Sequence, residues 1–179
     1  MFRCELPGGC YLRLFDEGDA EELERVIAAN RAYLARWLPW AAAEGGADSR
    51  LEFIRSTLKQ VADNDGFLAA IVADGTIIGA VGFHHVDWNH RWTSIGYWLA
   101  EDRQGRGTMS EAVRALTAHA FDVWELNRVE IRVAVGNNRS AAIPLRLGFV
   151  EEGILRQAER HGDTFKDIVV YAMLADDWD

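Results

Sequence analysis

Residues 101–112 read EDRQGRGTMSEA, a glycine-bearing segment with two arginines that runs straight into a helical pattern. Gly105 and Gly107 let the backbone turn sharply and come close to a ligand. Thr108 stands at the N-cap position, and Glu111 three residues later completes a capping-box pattern. The first turn of such a helix leaves amide N–H groups without partners, at the positive end of its dipole. A phosphate or pyrophosphate fits that arrangement, and Arg103 and Arg106 add positive charge. A tight strand-to-helix turn with solvated arginines has the same composition, so the segment alone leaves both readings open. It is neither a Walker A sequence nor GxGxxG, so neither ATP nor a dinucleotide is expected.

Little else is spaced for chemistry. His84 and His85 are adjacent on a predicted strand and should face opposite ways, which argues against a shared metal ion. His90, His119 and His161 are scattered. Cys4 and Cys10 form no CxxC and no zinc spacing, and are expected to be reduced. A formal net charge of -9 argues against nucleic acid and against an anionic membrane surface, and favours a positively charged partner. No apolar run reaches membrane-spanning length, and MFRCELPGGC lacks the apolar stretch of a signal peptide, so a cytoplasmic protein is expected. Seven tryptophans are many for 179 residues and hint at a large groove or a subunit contact.

The elements that must position the loop follow from periodicity. Residues 10–15 read as a strand. Residues 19–38 read as a helix capped by Asp19 with Glu22, and residues 49–64 as a second helix with a Ser49–Glu52 capping box. Residues 67–73 and 76–86 form a predicted hairpin about Asp74–Gly75. Residues 91–100 are a further strand, residues 108–124 a helix with Val113, Leu116, Ala120 and Trp124 on one stripe, and residues 128–136 a strand. A short helix over residues 138–149 ends at Gly148, and residues 150–174 give two strands about a turn at His161, Gly162 and Asp163. The strand–helix–strand unit over residues 92–135 implies parallel neighbours. Together this is one α+β domain over residues 1–179, with a mixed sheet of about seven strands flanked by helices.

YWLAEDRQGRGTM resembles the pyrophosphate-binding segment of the GNAT superfamily of acyl-CoA N-acetyltransferases, through Gln104 and Gly107. GNNRSAAIPLRLGFVEEG resembles that family's second cofactor element through Asn137, Ser140, Gly148 and Phe149. IGYWLAEDRQGRGTMSEAV, NRAYLARWLPW and GILRQAERHGDTFKDIVVYAML are similar to the RimJ/RimL type, the ribosomal-protein N-acetyltransferases. The resemblance covers nearly the whole chain in the expected order.

That resemblance implies acetyl-CoA as co-substrate, no metal, and direct acetyl transfer to a primary amine. The strands ending at Leu99 and beginning near residue 128 should splay, with the pantetheine arm in the gap. Backbone groups near Trp98 and Leu99 would orient the thioester. Amides of Gln104, Gly105, Arg106, Gly107, Thr108, Met109 and Ser110 would hold the pyrophosphate, and Asn137 would bond the arm from the other side. Glu159 would be the base and Ser140 the acid near sulfur. Pro144 stands about where many members carry an acidic tyrosine, and Arg132 where some relatives carry a base. Trp37, Pro39 and Trp40 would wall the acceptor groove or belong to the core. An α-amine, with a pKa of about 7.7–8.0, is about one-tenth neutral at pH 7, whereas a lysine is neutral in only about one part in 2,500. A modest base therefore suffices for a protein N-terminus. The implied acceptor is such an N-terminus, with a small amine as the alternative and a weakly catalytic CoA-binding module as a third reading. Members of this type are often homodimers.

Overall fold

The computed structural model describes residues 3–178. Eight strands form one sheet in the order β1-β2-β3-β4-β5-β6-β8-β7. They are β1 (Arg3–Glu5), β2 (Cys10–Leu14), β3 (Leu68–Ala73), β4 (Thr76–Asp87), β5 (Trp92–Leu99), β6 (Arg128–Ala134), β7 (Val150–His161) and β8 (Thr164–Leu174). The expectation of about seven strands missed β1, three residues that pair with Tyr11–Arg13 and are too short to show a period. The helices are α1 (Ala20–Leu34), α2 (Ala47–Ala62), α3 (Thr108–Ala118) and α4 (Asn138–Arg146). α3 runs on through a π turn at His119–Val123, which accounts for the longer helical pattern in the sequence.

The central strands are buried on both faces, which is why residues 67–73 read as continuous apolar sequence rather than alternating. Ala69 and Ile71 pack with Ile95, Ile131, Val113 and Leu116 beneath α3. Ala70 and Val72 pack with Leu23, Ile27 and Ile54 beneath α1 and α2. Glu24 ties α1 to α2 by accepting from Arg31 (2.9 Å) and Arg50 (2.7 Å).

Three predicted caps are replaced by other partners. Asp19 is held by Arg13 (2.6 Å) and accepts from the Asp16 amide (2.7 Å), while Glu22 accepts from the Ile77 amide (2.7 Å). α2 starts two residues early, so Ser49 lies in its first turn and bonds back to Gly46. At α3 the N-cap is Gly107, at φ 83°, and Thr108 makes no side-chain cap. A left-handed N-cap there needs glycine, which is the reason for Gly107.

Two features of register shape the centre. β5 and β6 are parallel and pair only over Trp92–Ser94 with Arg128–Glu130; beyond Ser94 they separate. On β4, Phe83 pairs with Ile95 and Val86 with Thr93, so one extra residue is accommodated opposite Ser94. This is a β-bulge. Phe83 and Val86 both enter the core under α3, while His84 and His85 both leave it, His84 toward Ser94 and His85 toward Asp65. The strict alternation expected for the two histidines is interrupted here.

Tight β4–β5 pairing uses Gly79, where a Cβ would fall 2.3 Å from the Trp98 carbonyl oxygen. Gly79→Ala is expected to cost about 1–3 kcal/mol through overpacking. Thermal unfolding should register it as a fall of about 2–4 °C per kcal/mol.

Candidate active site

A cavity of about 1480 Å³ follows the separation of β5 from β6. It reaches from the loop after β5 to the β7–β8 hairpin, and its wall includes Glu101, Trp98, Asn137, Ser140 and Glu159. Trp98 and Leu99 end β5 at its centre. Past Ser94 that strand edge has no β6 partner, which leaves its main-chain groups to other partners.

The loop end combines a glycine turn, a helix start and arginines. After a 3-10 turn at Glu101–Arg103, Gly105 (φ 78°) and Gly107 (φ 83°) take left-handed backbone and bring the first turn of α3 to the cavity wall. The Gln104 side chain donates to the Leu99 carbonyl (3.3 Å) and accepts from Arg139 (3.0 Å), which fixes the loop to β5 and to α4. Met109 buries its side chain in the core. Ser110 is buried too, and its hydroxyl accepts from Arg146 (2.8 Å). Arg139 and Arg146 line the cavity beside Arg106. Three guanidinium groups thus make a local positive field in an acidic protein. Sequence reasoning missed the two α4 arginines. Their spacing of seven, two helical turns, was the available signal.

At the middle, α4 begins with Asn137, whose side-chain oxygen accepts from the Ser140 amide (3.3 Å). Ser140 donates its hydroxyl to the Tyr97 oxygen (3.2 Å), and Tyr97 donates to the Ser140 carbonyl (3.2 Å). Burial pushes the Tyr97 phenol well above its usual pKa, with the Ser140 bond opposing, so it stays protonated at neutral pH. The tyrosine at this site thus comes from β5, while Pro144 of α4 is buried.

The far end belongs to the early helices and the hairpin. Trp37, Pro39 and Trp40 line the cavity, and Trp40 meets Trp98 edge to face at 6.3 Å. Glu159 is half-buried on β7, opposite Lys166 of β8. Lys166 lies over the Trp37 ring (4.7 Å) and donates to the Arg36 carbonyl. The hairpin and the α1–α2 connection therefore close one wall together. His161 Nε2 is 3.5 Å from the Glu159 carboxylate, too far for a hydrogen bond. Glu159 and Ser140 line the same cavity, as expected, and so do the residues of the loop. Among the described residues no cluster of His, Cys, Asp or Glu is placed to hold a metal ion, and no helix is long and apolar enough to cross a membrane.

Comparison with known proteins agrees with this geometry. Residues 10–150 match the Acetyltransferase (GNAT) domain family. The chain is 37% identical over 180 residues to YdaF of Bacillus subtilis (strain 168), covering 100% of this chain and 98% of that protein. It is 29% identical over 160 residues to the ribosomal-protein-serine acetyltransferase of Escherichia coli (strain K12), covering 89% of each. The structure of RimL, a ribosomal L7/L12 α-N-protein acetyltransferase in complex with coenzyme A, superposes with a TM-score of 0.93 at 25% identity, covering 98% of this chain and 99% of that one.

Tyr97→Phe leaves the Ser140 hydroxyl without its acceptor. A loss of about 1–2 kcal/mol is expected in denaturant unfolding, with the far-UV circular dichroism unchanged.

Proposed function

The chain belongs to the GNAT acetyltransferase family, and from that premise we propose that it transfers the acetyl group of acetyl-CoA to the N-terminal α-amine of a protein, with a ribosomal protein as the acceptor. The observation that carries this is the cavity itself. An amide-lined helix start with three arginines lies at one end, a strand gap at the middle, and an aromatic wall with a carboxylate at the other. The near full-length likeness to enzymes named for ribosomal-protein acetylation selects the acceptor class.

In this reading the amides of residues 104–110 and Arg106, Arg139 and Arg146 hold the pyrophosphate, and α3 adds its positive end. The pantetheine arm bonds the free backbone edge at Trp98 and Leu99, with Asn137 across the gap. Pinning both ends of the arm fixes the thioester carbon, which lowers the entropy cost of attack. Glu159 meets the arriving ammonium as its counter-charge and takes its first proton. The amine attacks, the C–S bond breaks, and Ser140 gives its hydroxyl proton to the departing sulfur. The ammonium is also drawn by the acidic surface of the whole chain. A cytoplasmic setting follows from a ribosomal acceptor, and homodimer formation, which the aromatic content suits, is to be read by light scattering.

Acetyl-CoA offered with Ser- and Ala-led peptides and with a panel of small amines tests this, free thiol being the readout. Turnover of peptides supports the proposal, and turnover confined to small amines replaces the acceptor. Coenzyme A binding without turnover of any amine would reduce the protein to a binding module. Glu159→Gln should lower kcat roughly tenfold and move the optimum upward, toward the amine's own range of about 7.7–8.0. Ser140→Ala should lower kcat while the coenzyme A Kd stays within about twofold.

A further inference from the structure

Acetylating an ammonium removes two protons from its nitrogen, one before attack and one as the C–N bond forms. Glu159 accounts for the first. The second arises deeper, at the reacting carbon, where a different acceptor is needed.

His84 stands there. It lines the same cavity as Ser140 and Glu159. The bulge on β4 turns it out of the core opposite Ser94, the last β5 residue paired to β6. Its ring lies against Gly96, where a Cβ would come within 2.3 Å of His84 Nε2 and 2.5 Å of Cε1. Any other residue at position 96 would displace the ring. Nδ1 is 3.1 Å from the Ser94 hydroxyl. With Nδ1 donating to Ser94, Nε2 carries a free lone pair beside the strand gap. The bulge is held as well: Gln60 of α2 donates to the Phe83 carbonyl (2.8 Å) and the His84 carbonyl (3.1 Å).

The faces of β5 give the direction. Ile95 and Leu99 enter the core under α3, with Tyr97 packed against it and bonded to Ser140. Trp98 packs on the opposite side, against the cluster under α1 and α2 and against Trp40. Ser94 and Gly96, four and two residues away, share that side by strand alternation. His84 thus faces the acceptor wall, and Ser140 faces it from across the gap. A nucleophile entering on one side and sulfur leaving on the other would need a base and an acid so divided.

We propose that His84 is the catalytic base that takes the second proton from the acceptor nitrogen, Nε2 accepting it as the amine bonds to the acetyl carbon. This rests on the acetyltransferase reading above and refines it. The nitrogen lone pair forms the C–N bond while its N–H proton passes to Nε2, giving imidazolium. The C–S bond electrons go to sulfur, which takes the Ser140 proton. The imidazolium and the protonated Glu159 then release their protons to water, and Ser140 regains one from water. Two protons leave the nitrogen and one arrives on sulfur, so one is released per turnover. The groups facing His84 suit a neutral imidazole. Arg132 of β6 lines the same cavity, itself paired with Glu130 (3.0 Å), and so does Glu159. His85 is engaged with Asp65. Burial first, and Arg132 second, lower the His84 pKa from its ordinary 6.5. Falling pH protonates the base, so the acidic limb of kcat lies below that value.

The test is kcat against pH for the parent, His84→Gln and His84→Ala, on whichever amine the parent acetylates, with calorimetric coenzyme A binding and thermal unfolding as checks of integrity. The expected result is a fall in kcat of about 10²-fold or more, coenzyme A affinity within about twofold, and no acidic limb in His84→Gln. Added imidazole should restore part of the His84→Ala rate, because the position opens to the cavity. A His84→Gln enzyme that keeps kcat within threefold, or keeps the limb, overturns the role of His84 alone. A parent silent on every amine overturns this role together with the acetyltransferase reading.

Discussion

Three paired residues hold β5 to β6, and then the two strands part. Backbone N–H and C=O groups need partners, and a strand edge deprived of its neighbour in the middle of a sheet is an unmet demand. Everything at the site answers it. The parallel pair exists because α3 crosses over between its strands, and the same crossover puts the start of α3 at the mouth of the gap. A ligand that threads between the strands therefore meets free main chain along its length and unbonded helix amides at its end.

Charge is arranged on the same axis. The chain carries an excess of acidic groups, yet Arg106, Arg139 and Arg146 converge at the loop. Two of them come from α4 and reach across to Gln104 and Ser110. The anion-holding end is thus also the place where α3 and α4 are tied together. Filling it with a phosphate would order the helix starts that the thioester must pass. The opposite end has an aromatic wall and an acidic side chain, suited to a cation. The two ends attract opposite ligands, and the transfer takes place between them.

The sequence made the strands, the glycine loop and the α/β order legible, because apolar alternation and left-handed glycine positions are local properties. Asp19, Glu22 and Ser49 misled because capping signals are also local, whereas Arg13, the Ile77 amide and an earlier helix start competed for them in three dimensions. The loop around Gly105 and Gly107, which lines the cavity, was readable in the sequence. The acceptor side was less so. A bulge adds one residue without altering composition, so nothing in GFHHV shows that His84 and His85 leave the core together. Tyr97 is a strand residue in the sequence and becomes a partner of Ser140 only when α4 folds over it. Pairings of this kind depend on tertiary contact, which periodicity does not encode.

The swap of the last two strands has a consequence for diversification. β8 inserts next to β6, leaving β7 at the rim with hydrogen-bonding neighbours on one side only. A rim strand can shift register, lengthen or change its tip while the other seven remain joined. Its twelve residues carry Glu159, whereas Trp98 and Leu99 stand on the interior strand β5. Selectivity for the nucleophile can thus drift over evolutionary time without disturbing the machinery that activates the acyl group.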